Sequence, residues 1–246
     1  MSSDSLDLSG ETVLVTGASG NIGQGIARRL AEAGAGIVVH YHRNKAGADE
    51  LAAQLDGAPT VQADLADEVA VDKLFAASSP TMLVNNAATQ LVQSLGDMDY
   101  ASWRDMLATN LDAAFLVMQR AAHAWAGRGG AIVNIASIEA LDPAVGHGHY
   151  ATSKAGLVML SRAAALEFGS AGIRVNCVSP GLIDREGLAK DWPDGVSRWH
   201  DRVPLGRLGT PKDVAEAVLF LLSPAARWIS GTNLVVDGGM SAQNKW

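Results

Sequence analysis

Cysteine is almost missing: the 246 residues hold one, Cys177, so no intrachain disulfide can form and the core must hold the fold together. A lone thiol suits a reducing compartment, and the chain is expected to be cytoplasmic. Long apolar runs are missing too. None approaches the ~18 residues of a membrane span, so no membrane partner is expected. The opening MSSDSLDLSG carries neither the basic nor the apolar stretch of a secretory leader. Positive charge is in deficit, with 19 Lys and Arg against 26 Asp and Glu, which argues against a nucleic-acid-binding surface. Linkers, repeats and low-complexity tracts do not occur. What abounds is small or apolar: 48% hydrophobic residues can fill a large core, and 26 Gly can make many tight turns.

Short apolar runs alternate with amphipathic stretches along the chain, the pattern of βαβ units and a parallel sheet. Residues 12–16 (TVLVT) read as a buried first strand. Residues 22–33 follow with Ile22, Ile26, Ala27 and Leu30 at helical spacing, and Gly34 stands where a C-terminal cap belongs. Further strands are expected at 37–40, 60–63, 82–85, 131–136, 173–178 and 233–237. Further helices are expected at 46–55, 99–125 with Asp99 as N-cap, 149–168 and 211–222. Residues 182–203 read as one long irregular insert holding Trp192, Trp199 and His200. The expected fold is α/β: a single doubly wound (Rossmann) domain over 1–246, with a mostly parallel seven-stranded sheet and helices on both faces.

Between the first strand and the first helix lies Thr16-Gly17-Ala18-Ser19-Gly20-Asn21-Ile22-Gly23. Glycines there let the backbone turn sharply and approach a pyrophosphate, while exposed N–H groups and the helix dipole supply positive potential. An acidic residue closing the second strand would bind a ribose 2′-OH and repel a 2′-phosphate. Here the residues are His40-Tyr41-His42-Arg43-Asn44, with no carboxylate, and Arg43 can grip a phosphate through its planar fork. NADP(H) is therefore expected over NAD(H), which stays possible.

Tyr150 and Lys154 stand four residues apart on an expected helix, so phenol and ammonium share one face. A neighbouring cation favours the phenolate, so the expected tyrosine pKa lies below its ordinary ~10, within reach of acid–base work near neutrality. Ser137 lies upstream, and Asn110 further back.

Together these segments resemble the short-chain dehydrogenase/reductase family over about 8–239. The family's T-G-x-x-x-G-x-G appears at 16–23, its N-N-A-G as Asn85-Asn86-Ala87-Ala88, and its Y-x-x-x-K as Tyr150 to Lys154; Pro180-Gly181 and the late segments 207–215 and 229–239 also fit. The resemblance implies that Tyr150 protonates a carbonyl oxygen as hydride arrives, and acts as base in reverse. It implies that Lys154 lowers the tyrosine pKa and bonds the nicotinamide ribose, that Ser137 holds the substrate oxygen, and that Asn110 interrupts its helix to bind a relay water. Gly17, Ser19, Asn21, Ile22 and Gly23 would hold the pyrophosphate, and Tyr41, His42, Arg43 and Asn44 the adenosine phosphate. Asp64 and Leu65 would line the adenine pocket, Asn86 and Ala87 the adenosine side, and Pro180, Gly181 and Ile183 the nicotinamide. Departures from the family pattern are Asn21 for its middle glycine, Gly20 for a basic residue of many NADPH users, Ala88 for a glycine, and Arg185 for a carboxamide-binding threonine.

The implied activity is hydride transfer between NADP(H) and a ketone or secondary alcohol, with 3-oxoacyl thioesters first and sugars or polyols second. A carrier-bound thioester would need the basic residues Arg185, Lys190, Arg198 and Arg202 near the site mouth. Segments 40–43 and 62–65 are also similar to those of pteridine reductases, a third option. A protein that senses NADP(H) without turnover is the alternative from another class. His147 and His149 precede Tyr150 without a third ligand at metal-site spacing, so no metal is expected; they could line the substrate mouth instead. Glu139 could accept a hydrogen bond from a polyol or amine substrate. Trp192 and Trp199 could close over substrate, or pack in the core or at a subunit interface. A homotetramer or homodimer through 99–125, 149–168 and the C-terminal strand is implied by the family.

Overall fold

In the computed structural model, which describes residues 3–242, the strands are β1 (Thr12–Val15), β2 (Gly36–Tyr41), β3 (Thr60–Gln62), β4 (Met82–Asn85), β5 (Gly130–Ile135), β6 (Ile173–Pro180) and β7 (Asn233–Val236). They form one sheet in the order β3-β2-β1-β4-β5-β6-β7, and every neighbouring pair is parallel. The helices are α1 (Asn21–Glu32), α2 (Lys45–Gln54), α3 (Glu68–Ser78), α4 (Tyr100–Leu107), α5 (Ala113–Ala124), α6 (Gly148–Phe168), α7 (Leu188–Asp191), α8 (Pro193–Arg202) and α9 (Pro211–Leu222). The outermost ends of the expected 1–246 domain lie outside the described residues.

Side-chain alternation along β1 shows why both faces are covered. Val13 and Val15 enter a core shared with α1, α2 and α9, whereas Leu14 enters the opposite core, with α3, α5 and α6. The strand order reverses between β1 and β4, which opens a crevice at the carboxyl ends of those strands, where doubly wound sheets bind ligands.

Three readings are amended. A further helix, α3, lies in a stretch where the apolar pattern predicts no element; Asp67 caps it by accepting from the N–H groups of Val69 and Ala70. The expected helix over 99–125 is α4 and α5 joined by a π-helical turn (Ala108–Asp112). The insert at 182–203 is not irregular: it folds into α7 and α8, with Pro193 at the first turn of α8, where its missing N–H costs nothing.

Helix α9 braces α1, and a Cβ on Gly25 would come within 2.4 Å of Pro211 Cβ. Its start is fixed by a capping box between Thr210 and Asp213, and Arg207 adds two 2.8 Å bonds to the same carboxylate. The Arg207 guanidinium, helped by Thr210, holds the Asp213 carboxyl well below the usual carboxylate range. Asp213→Ala is expected to cost about 1 kcal/mol, read as a fall in Tm of about 2–4 °C; an unchanged Tm would remove the box from the stability of this end.

Candidate active site

The glycine turn crosses the crevice mouth. Gly17 has φ of +60°, and a Cβ there would lie 2.8 Å from Ala87 Cα, so only glycine lets the segments after β1 and β4 meet. Gly23 is equally constrained, because its Cβ would fall 2.4 Å from the Gly17 carbonyl oxygen. Asn86 knits the two segments, with its Nδ2 donating to Thr16 O at 2.9 Å and Gly17 O at 3.1 Å. The first turn of α1 has no side-chain cap and no acidic residue, and a Cβ on Gly20 would meet nothing nearer than 3.4 Å. Free N–H groups, open space and the positive end of a helix suit a dinucleotide pyrophosphate.

His40 locks this turn from below. Its Nδ1 accepts the Gly17 N–H at 3.0 Å, so the proton sits on Nε2, which donates to Ala63 O at 3.1 Å. Burial pushes its pKa down to about 4, against the bond to Ala63 that favours the cation. On the far side, Asn21 Nδ2 donates to Asp184 O at 2.8 Å and ties the turn to the segment after β6.

Tyr150 and Lys154 lie on the first turns of α6. The Lys154 ammonium is 5.7 Å from the centre of the Tyr150 ring and donates to Ile135 O at 2.8 Å. Burial pulls Lys154 down to about 8, against Cys177, which raises it. The expectation for Tyr150 is corrected: its pKa is pushed up to about 12, not lowered. Burial of the phenol is the main cause, its hydrogen bond with Ser137 draws the value back, and the Glu139 carboxylate raises it further. Asn110 sits in the π-helical turn, buried, with its amide spent on both backbone groups of Thr89 (2.8 Å each) and on Ser153 Oγ at 3.2 Å.

A family model described as Enoyl-(Acyl carrier protein) reductase matches residues 17–241. The chain belongs to the short-chain dehydrogenase/reductase family. It is similar to the L-rhamnose 1-dehydrogenase (NAD(P)(+)) of Azotobacter vinelandii, at 40% identity over 94% of this chain and 96% of that one. It is also similar to the 3-oxoacyl-(acyl-carrier-protein) reductase of Aquifex aeolicus, at 34% identity over 96% of this chain and 99% of that one. Among solved structures, a gluconate 5-dehydrogenase from Burkholderia cenocepacia in complex with NADP and tartrate superposes with TM-score 0.91 at 31% identity, covering 99% of this chain and 100% of that one. The family's activity is oxidoreduction at CH–OH and C=O groups.

Within this short-chain dehydrogenase/reductase, all the anticipated cofactor residues fall along the carboxyl edge of the sheet, but several side chains turn elsewhere. Tyr41 is buried in the core on the α1 side and Leu65 in the other, so their main chain is what they offer the crevice edge, whereas Ile22 and Ile183 pack against the α1-side core and stay partly exposed. Asn44 caps α2 by accepting the Gly47 N–H at 3.1 Å. Arg43 and His42 are exposed, and His42 Nε2 lies 3.9 Å from Asp64 Oδ2. Arg185 turns from the crevice to Asp191, at 2.8 Å. Trp199 covers Gly181, where a Cβ would be 2.8 Å from its ring, while Trp192 lies on the outer side of the insert under Arg198. His147 meets Glu139, whereas His149 is fully buried with neither ring nitrogen hydrogen-bonded. Among the described residues no three His, Cys, Asp or Glu side chains group as metal ligands, and no helix is long and apolar enough to cross a membrane.

His40, the Asn21–Asp184 bond and the Gln90–Glu139–His147 cluster are what the residue pattern did not reveal. Each joins segments distant along the chain, and no spacing rule announces such contacts.

Proposed function

We propose that this protein interconverts a secondary alcohol and a ketone with NADP(H), with Tyr150, Lys154, Ser137 and Asn110 as its working groups. One observation carries this reading: the Tyr150 phenol stands with the Ser137 hydroxyl and a buried ammonium, on a sheet whose first strand leads into a helix with an uncapped N-terminus. When bound, the nicotinamide gives or takes the hydride and, oxidised, brings positive charge to the site. Ser137 Oγ holds the substrate oxygen, and Tyr150 Oη gives its proton to that oxygen in reduction and removes it in oxidation. Lys154, held near a pKa of about 8, exchanges a proton close to neutrality and resupplies the phenol. Asn110 keeps the loop after β4 and the π-helical turn in register, its amide being committed to Thr89.

Arg43 supports NADP(H) over NAD(H). It is exposed at the end of β2 and has no ion-pair partner among the described residues. Arg43→Ala is expected to lower kcat/KM with NADPH about 10–100-fold, the worth of a hydrogen bond to a charged group, and to spare NADH. An equal loss with both cofactors would contradict this role. The proposal as a whole is tested by following NADPH or NADH absorbance with ketones, acyl thioesters, pterins and sugars; no turnover with any class would favour a cofactor-sensing role.

The exposed side chains Phe115 on α5 and Met159 and Leu166 on α6 support assembly as a homotetramer or homodimer through these helices. The single buried Cys177 supports a cytoplasmic setting.

A further inference from the structure

Beside the phenol lies a polar cluster that enters the acid–base scheme only through the charge of Glu139. After β5, the N–H of Glu139 donates to Ser137 Oγ at 3.1 Å, which fixes the short turn Ile138–Ala140. The Glu139 carboxylate then meets His147 Nδ1, at 2.8 Å from Oε2 and 3.1 Å from Oε1. Gln90, from the loop after β4, donates to the same carboxylate at 3.4 Å. The loops are joined again where the Gln93 N–H donates to Gly146 O at 2.8 Å. The His147 ring stands edge-on to Tyr150, with centroids 6.2 Å apart. Three segments thus bring an acid, an imidazole and an amide against the residue placed at the reacting oxygen.

The side chains of His147 and Glu139 are only 15% and 17% exposed, so they are largely withdrawn from water yet not sealed in the core. A carboxylate offers about four lone-pair sites, and His147 Nε2 has no hydrogen-bond partner recorded among the described residues. With Nδ1 turned to the carboxylate, the neutral His147 ring leaves Nε2 as an acceptor, so the pair presents acceptors next to the phenol, flanked by the exposed Val92 and Leu95, which lie near Gly146 and Gly148. A substrate bearing only hydrocarbon there would strip water from a charged group without replacing it, an unfavourable exchange. An anionic substrate would meet the Glu139 charge. A neutral substrate whose carbons beside the reacting one carry hydroxyls would satisfy both acceptors.

We propose that Glu139 and His147, steadied by Gln90, form the recognition pair for hydroxyls flanking the reacting carbon of a neutral sugar or polyol. This inference rests on the placement of the reacting oxygen at Tyr150. Hydrophobic alcohols could still reach the exposed Leu141 and Val145 on the outer rim, but they would leave the pair unmatched.

The test compares wild type, Glu139→Gln and His147→Gln with NADP⁺ on neutral aldoses and alditols and on cyclohexanol. NADPH fluorescence titration confirms that each variant is folded. Wild type is expected to prefer at least one sugar or polyol. The ratio of its kcat/KM to that for cyclohexanol should fall about 10-fold in Glu139→Gln, mostly through KM, with a smaller fall in His147→Gln. Equal losses on both substrate types, or a wild-type preference for cyclohexanol over every polyol, would overturn the recognition pair and leave hydride transfer standing. No oxidation of either type with either cofactor would overturn the hydride-transfer reading and the pair together.

Discussion

Tyr150→Phe is expected to lower turnover about 10²–10⁴-fold, the usual worth of a positioned general acid–base, while NADP(H) binds as before. The substitution keeps the ring that packs against His147 and removes only the hydroxyl. Burial and the Glu139 charge push the phenol up to about 12, so at neutral pH it is protonated and ready to donate to a carbonyl. Alcohol oxidation needs the phenolate, and its rate should climb with pH through the alkaline range. The climb should begin earlier once the oxidised cofactor is bound, since added positive charge favours the anion. Single-turnover kinetics in both directions check this. A Phe variant with wild-type turnover, or an oxidation rate flat from pH 7 to 10, would take Tyr150 out of the role.

The parts of this fold legible in the sequence are those fixed by burial. Strands such as β1 and β5 are buried on both faces and mostly apolar, so TVLV and AIVNI announce themselves. Helix α9 reads clearly because Thr210-Pro211 opens it and Val214, Ala215, Val218, Leu219 and Leu222 keep helical spacing. The insert reads poorly because α7 and α8 bury only Leu188, Gly195 and Val196, too few for a periodic signal. For the site, the spacing of Tyr150 and Lys154 gave adjacency correctly. It could not give the pKa, because desolvation depends on everything packed around the phenol, including Glu139 from another loop. Arg185 and Asn44 show the same limit: their positions are as expected, but Asp191 and Gly47 take their polar groups.

His40 makes the glycine turn sensitive to acid, and the sign follows from its two bonds. Gly17 donates to Nδ1, so a second proton there would set two donors face to face. The folded value of about 4 lies below the usual 6.5, so the unfolded chain takes up the proton first as pH falls. The stability contribution is therefore complete above about pH 6.5, declines as pH falls toward about 4, and levels off below. At 1.36 kcal/mol per pH unit the decline amounts to about 3 kcal/mol. Urea denaturation of wild type between pH 7 and 4 should show this loss, and His40→Gln, less stable at pH 7, should have a shallower slope. The KM for NADPH should rise over the same range in wild type, because Gly17 loses its anchor. Parallel pH slopes in the two proteins would mean that His40 is merely buried there, and that the turn holds its shape without it.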